Sequence, residues 1–258
     1  MSDARLPRVL VVQHQDSCPP ALFGQWLTEA GVALDVCRPD LGAAVPSLTR
    51  AGRDAYDGLL VLGGDMTADA DTAHAWLPVV RQRVAEAAAG GFPSLGICLG
   101  HQVAGLALGA TVERNPHGTT IGLRQVDWEP AVIFDPLLSA IAGEDRALWW
   151  NDDVVVDLPE GAEVLATGLD GAVQAARFAP TVWGVQFHPE ADSGLVQRWA
   201  ESDAVGLGRL GFDADELVES VLLAQPELVR TWRPLAESFA TLVRGRAAAT
   251  DQFGHPGR

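Results

Sequence analysis

Short continuous apolar runs alternate with amphipathic stretches through the first 110 or so residues, and no other feature of the chain restricts its fold as much. Residues 8–13 (RVLVVQ), 32–36 (VALDV), 58–62 (GLLVL) and 92–97 (FPSLGI) are runs of this kind. Each is too short for a helix of ordinary length, and each reads as a buried strand. Between the first two, residues 20–29 place Leu22, Trp26 and Leu27 on one helical face, with Gly31 available to end the helix. Between the last two, Leu77, Val80, Val84 and Ala87 recur at helical spacing before Gly90 and Gly91. Strand–helix–strand units close as a parallel sheet, so the expected fold is α/β with a mostly parallel open sheet and helices on both faces. Functional groups in such sheets gather beyond the carboxyl ends of the strands.

The second half changes character. Residues 121–128, 163–167, 173–178 and 181–187 read as short strands with little helix between them, extending the sheet or adding an antiparallel layer. Residues 213–223 and 226–246 read as helices. In the latter, Leu228, Trp232, Leu235, Phe239 and Leu242 form an apolar stripe that is expected to pack on the chain's own core, with a homodimer or partner contact as the alternative. Pro234 should kink or split this helix, and residues 247–258 should fray. The expected organisation is a domain over residues 1–200 and a helical C-terminal extension over 201–258 that packs on it.

Charge narrows the partners. Thirty-four acidic residues against 18 basic ones leave a net charge of -16, which repels nucleic-acid phosphates and anionic membrane surfaces. No apolar run approaches the ~20 residues of a membrane helix, and no signal peptide is expected at the N-terminus. Cys18, Cys37 and Cys98 are odd in number and widely spaced. They predict free thiols in a reducing, cytoplasmic setting rather than a disulfide framework.

Cys98 stands out. It lies between Gly96 and Gly100, after a strand and before a helix formed by residues 101–108. A sharp strand-to-helix turn strains its central residue and projects that side chain, and near glycines are needed because neighbouring side chains would clash. The helix N-terminus offers unpaired N–H groups and partial positive charge, favouring a thiolate and a developing oxyanion. A thiol also needs a base, and the base needs an orienting group. His188 at the end of a strand, with Glu190 two residues on, supplies that pair.

Gly96-Ile97-Cys98-Leu99-Gly100-His101-Gln102 together with Gly184-Val185-Gln186-Phe187-His188-Pro189-Glu190 resembles the class-I glutamine amidotransferase family, over roughly residues 8–200. Both motifs occur in the family's order, and 90 residues separate His188 from Cys98. The resemblance implies a flavodoxin-like open sheet and an enzyme that hydrolyses the side-chain amide of glutamine. Cys98 is then the nucleophile, forming a γ-glutamyl thioester. His188 is base and acid, and Glu190 holds the imidazole. The backbone N–H groups of Gly64 and Leu99 correspond to the family's oxyanion hole, and Gln102 to a residue that holds the glutamine. No cofactor and no metal are implied.

Two features depart from the family. Where relatives of the guanylate-synthetase type carry Ser-His-x-Asp, this chain has Trp150-Asn151-Asp152-Asp153; these residues form either part of the substrate pocket or a polar turn between strands. The chain also lacks the motifs of an ATP-binding synthetase, so a separate ammonia-accepting synthetase is the expected partner. That absence keeps a second reading open, a γ-glutamyl hydrolase acting on γ-glutamyl amines or peptides. A third, a non-catalytic binding protein, is disfavoured because Cys98, His188 and Glu190 are all present.

Other signals carry less. Gly206, Gly208 and Gly211 match a dinucleotide fingerprint by letter but follow no strand, and read as a flexible connection. His14, His74, His101, His117 and His255 are scattered without metal-ligand spacing. Cys18 follows the first strand, where it could border the active site, though an inert buried thiol is the plainer expectation.

Overall fold

The computed structural model describes residues 5–49, 55–141, 143, 146–168 and 171–253. The alternating half consists of β1 (Arg8–Val12), α1 (Ala21–Glu29), β2 (Ala33–Cys37), β3 (Gly58–Val61), α2 (Leu77–Gly90), β4 (Ser94–Ile97) and α3 (Leu99–Leu108). The strand-rich stretch follows as β5 (Thr111–Arg114), β6 (Thr120–Gln125), β7 (Asp127–Trp128), β8 (Arg146–Asn151), β9 (Asp153–Asp157), β10 (Glu163–Thr167), β11 (Val173–Ala179) and β12 (Val182–Val185). Three helices close the chain: α4 (Ser193–Ser202), α5 (Ala204–Arg209) and α6 (Ala214–Phe253).

The main sheet runs β2-β1-β3-β4-β12-β11-β10-β7. Its first five strands are parallel, as the alternating pattern requires, and antiparallel pairing begins between β12 and β11. Strand β9 pairs with both β11 and β5, while β6 and β8 form a separate antiparallel pair. Successive side chains of a strand face opposite ways, and β1 shows the consequence. Val9 and Val11 join the apolar core that contains Phe23 of α1, Trp199 of α4 and Trp232 of α6. Leu10 and Val12 join the opposite core with Val84 of α2 and Val103 of α3. Helices therefore cover both faces, and the fold is α/β with a mostly parallel open sheet of the flavodoxin-like kind.

Beyond the alternating half, the structure departs from expectation in several places. First, α6 is one helix of 40 residues that contains both Pro226 and Pro234, with no break at Pro234. Its buried stripe offsets the backbone hydrogen bonds the prolines forgo, because Leu228, Trp232, Leu235, Ala236, Phe239 and Val243 are all sealed in the core. Val243, not Leu242, completes the stripe, since Leu242 is only partly buried. Second, the glycine-containing stretch expected to be a flexible connection is helical over α5 and is anchored by the fully buried Leu207. Third, residues 121–128 are not one strand. The chain crosses from β6 to β7, which belong to different sheets, with Val126 buried between them. Helix persists through Phe253, where fraying was expected from residue 247; residues 254–258, including His255, lie outside the described residues. Among the described residues no helix is long and apolar enough to cross a membrane.

Candidate active site

The carboxyl ends of β1, β3, β4 and β12 converge on one cavity of about 480 Å³. At its base Cys98 sits between β4 and α3 with φ 51° and ψ −108°, a left-handed-side conformation that L residues rarely adopt. The turn is tight enough to demand its glycines. A Cβ on Gly96 would lie 2.2 Å from the Gly100 carbonyl oxygen, and one on Gly100 would lie 2.0 Å from the Val61 carbonyl oxygen. The Cys98 N–H donates to the Val185 carbonyl at 2.9 Å, fastening the turn to β12. The thiol is buried in the wall, 3.8 Å from the carbonyl oxygen of Trp150 on β8.

His188 and Glu190 follow β12. The His188 N–H donates to the Leu148 carbonyl at 2.8 Å, which ties this segment to β8. The His188 Nδ1 lies 2.7 Å from Glu190 Oε1, and both side chains are buried. Burial disfavours charge on the imidazole. The nearby Glu190 carboxylate and Cys98, each also hydrogen-bonded to it, more than offset that, so His188 is held well above its ordinary value of 6.5. With Nδ1 committed to Glu190, Nε2 is the nitrogen left for the Cys98 sulfur.

Gly63 and Gly64 follow β3 and form the opposite wall. A Cβ on Gly63 would lie 3.3 Å from His188 Cε1 and 3.7 Å from both Cys18 Sγ and Cys98 Cβ, so backbone rather than side chain fills this space. A Cβ on Gly64 would lie 2.7 Å from Leu99 Cδ2, which brings the two positions singled out from sequence side by side. Leu99 is the first residue of α3, where N–H groups have no intrahelical acceptor. The loop is steadied by the Asp65 N–H, which donates to Gln15 Oε1 at 3.0 Å.

Gln102 stands one helical turn beyond Cys98 and lines the cavity. Its Nε2 donates to the Asp153 carbonyl at 3.0 Å and to Gln186 Oε1 at 3.2 Å. The stretch Trp150-Asn151-Asp152-Asp153 forms the junction of β8 and β9 and lines the cavity. Arg114 at the rim pairs with Asp152 at 3.0 Å and with Asp153 at 3.6 Å. Burial raises the Asp153 carboxyl above its usual range; Arg114 opposes this and Asp152 reinforces it.

Cys18 does border the cavity. Burial, with Cys98 and Glu190 close by, pushes its thiol far up, so it is a neutral, protonated group. His101, set aside in the sequence, is fully buried away from the cavity against Phe178 and Gly184, and burial depresses it to about 4. His14 is also buried and depressed to about 4; its Nδ1 accepts from Trp76 Nε1 at 3.1 Å.

Sequence reasoning missed Trp199 of α4, the rim residues Arg114 and Thr119, and Ser202, Asp203 and Leu210 around α5, all of which line the cavity. Trp199 lies on α4, a stretch for which the sequence reading named no element. Long-range contacts draw it to the site, among them one across 182 residues from its Nε1 to the Ser17 carbonyl at 2.6 Å. A buried thiol, an imidazole and a carboxylate in one line, beside the N-terminus of α3, make an arrangement suited to acyl transfer through a covalent intermediate.

Comparison with known proteins identifies the family. The model of the family described as glutamine amidotransferase class-I matches residues 23–201. The chain is 31% identical over 190 residues to anthranilate synthase component 2 of Mycobacterium tuberculosis, covering 71% of this chain and 75% of that one. It is 32% identical over 188 residues to the aminodeoxychorismate synthase of Streptomyces griseus, covering 71% of this chain but only 24% of that protein's length. Among solved structures, a glutamine amidotransferase from Thermotoga maritima superposes with a TM-score of 0.80 at 26% identity, covering 92% of this chain and 99% of that one.

Proposed function

The chain belongs to the class-I glutamine amidotransferase family, and from that premise we propose that it hydrolyses the side-chain amide of glutamine to glutamate and ammonia. The observation that carries this reading is the line formed by the strained Cys98, the buried His188 and the 2.7 Å contact of His188 with Glu190.

Cys98 gives its thiol proton to His188 Nε2, and its sulfur adds to the amide carbon. The carbonyl oxygen takes up the negative charge and is met by the N–H groups of Gly64 and Leu99. The C–N bond then breaks as His188 returns the proton to the departing nitrogen, releasing ammonia and leaving a γ-glutamyl thioester. Water adds to the thioester with His188 as base, the C–S bond breaks, and glutamate leaves with the thiol restored. Glu190 keeps the imidazole in the tautomer this requires and stabilises its protonated form. Gln102, beside the thiol and braced by Asp153 and Gln186, helps hold the substrate. Every proton is handled by the protein, so the cycle needs no cofactor. A separate synthetase consuming the ammonia is the proposed partner, a reading supported by the relative named as component 2 of a synthase.

A second reading has one observation in its favour. The cavity extends past the thiol to Ser202, Asp203 and Leu210, leaving room beyond an unsubstituted amide for a γ-glutamyl amine or peptide. Ammonia release from glutamine, measured beside turnover of N-substituted γ-glutamyl amides for wild type and Cys98→Ala, separates the two. Activity on glutamine that vanishes in the variant is expected. A strong preference for substituted amides would replace the first reading by the second, and activity that survives in Cys98→Ala would overturn both.

A further inference from the structure

We propose that Trp199 is a positioning residue for His188, holding the imidazole in register with Cys98 by ring contact from α4. This inference rests on the proposed role of His188 as the base that serves Cys98.

Consider what surrounds the imidazole. Its Nδ1 is held by Glu190, its Nε2 faces the Cys98 sulfur, and its Cε1 is backed by the bare Gly63. Hydrogen bonds at its two nitrogens still leave the ring able to tilt about the line that joins them, and Gly63 backs it with main chain alone. Trp199 packs on the imidazole and limits this motion, its ring centroid 4.8 Å from that of His188 at an interplanar angle of 63°. An aromatic ring at this separation packs against the imidazole and restrains its tilt, and where it presents its face it also favours an imidazolium.

Trp199 is itself fixed from three sides. Its Nε1 donates to the Ser17 carbonyl at 2.6 Å. Its ring meets Trp150 edge to face at 5.6 Å. Its helix packs on α6 through the core containing Trp232 and Phe239. Trp150 supplies the carbonyl that faces the Cys98 thiol. One indole therefore touches the ring of the base and the residue beside the nucleophile, and it anchors the loop that carries Cys18. The charged and titratable groups around His188 are Glu190 from its own segment, Cys98 from the β4–α3 turn and Cys18 from the β1–α1 loop. Cys18 stays neutral, so the carboxylate facing the imidazole is that of Glu190.

The test uses Trp199→Met and Trp199→Phe in the full chain. Because Trp199 borders an open cavity, Met enlarges that cavity instead of leaving a sealed void, and a thermal melt reports whether the variant is folded. Alkylation of Cys98 by iodoacetamide is followed across pH by site-resolved mass spectrometry, beside kcat and KM for glutamine. In Trp199→Met the midpoint of Cys98 alkylation should move up by about half a pH unit or more, and kcat should fall about tenfold or more with KM nearly unchanged. Trp199→Phe, which keeps a ring but loses the N–H, should restore the wild-type midpoint. A folded Met variant with an unmoved midpoint would overturn the inference, whatever its kcat. If Met does not fold, the Phe variant decides alone: a midpoint near that of a free thiol overturns the inference, and one at the wild-type value supports it. Alkylation needs no turnover, so a wild type silent on glutamine would count against the proposed reaction while leaving this result to stand by itself.

Discussion

A Cβ placed on Gly96 would lie 2.2 Å from the carbonyl oxygen of Gly100, so the two glycines flanking Cys98 touch across the turn. Real Cβ atoms do not approach that closely, and the obstructing atom is backbone. Gly96→Ala and Gly100→Ala should therefore each destabilise the protein by about 3 kcal/mol or more, at or beyond the usual range for overpacking, and slow Cys98 alkylation by displacing the thiol. Urea denaturation with thiol mapping checks both. A variant that melts and alkylates like wild type would show that the turn is less constrained than its geometry implies.

Glu190→Gln keeps the shape of the side chain and removes its charge. The imidazole then loses the partner that favours its productive tautomer and its protonated form. Ammonia release should fall by about 10²- to 10⁴-fold, with a smaller change in KM. Steady-state kinetics decide this, and a loss confined to KM would reassign Glu190 to substrate binding.

The same substitution has a stability signature whose sign follows from linkage. His188 is held well above 6.5 in the folded chain, with Glu190 a main cause. A raised folded value contributes stability in full below pH 6.5 and loses it as pH rises through that folded value. The melting temperature of wild type should exceed that of Glu190→Gln most clearly near pH 6, and the gap should narrow as the solution becomes alkaline. A gap that widens with pH would mean that the pair is not held together by protonated His188.

His101 gives the opposite slope. Burial depresses it to about 4 from an ordinary 6.5, so between those values the unfolded chain binds a proton that the folded chain refuses. Stability should fall as pH drops through that window, by up to about 1.4 kcal/mol per unit from this group. His101→Leu should flatten the acid limb of a stability curve measured by urea denaturation at pH 4.5 to 7. An unchanged slope would assign acid sensitivity elsewhere, with the similarly depressed His14 the next group to replace.

Phe239 on α6 is fully buried, its ring 6.4 Å from that of Phe23 on α1. Phe239→Ala should cost about 3 to 5 kcal/mol in a single unfolding transition. That outcome would support the proposal that residues 201–258 pack on the same domain as residues 1–200. Two separate transitions would argue for an independent C-terminal unit.

The sheet was legible because Val9 to Val12 and Leu59 to Leu62 are apolar on both faces, as only central parallel strands are. The long α6 was harder to read. Pro226 and Pro234 are local signals for interruption, and the burial that overrides them comes from packing against other elements, α4 shortly before it and α1 near the other end of the chain. Strand β5 was invisible for a related reason, since its side chains are largely exposed and its pairing with β9 is what makes it a strand.

What the sequence determined by itself was local chemistry: a cysteine between glycines at a strand end, a histidine with a carboxylate two residues on, and periodicities that set parallel strands against helices. Backbone sterics and side-chain spacing act over a few residues, so a few residues suffice to show them. What only the tertiary structure decided was which distant groups share the cavity. Trp199 meets His188, Trp150 turns its carbonyl to Cys98, and Cys18 faces the same space. Such contacts are selected by the packing of whole elements, in which burial is roughly proportional to area and blind to sequence separation.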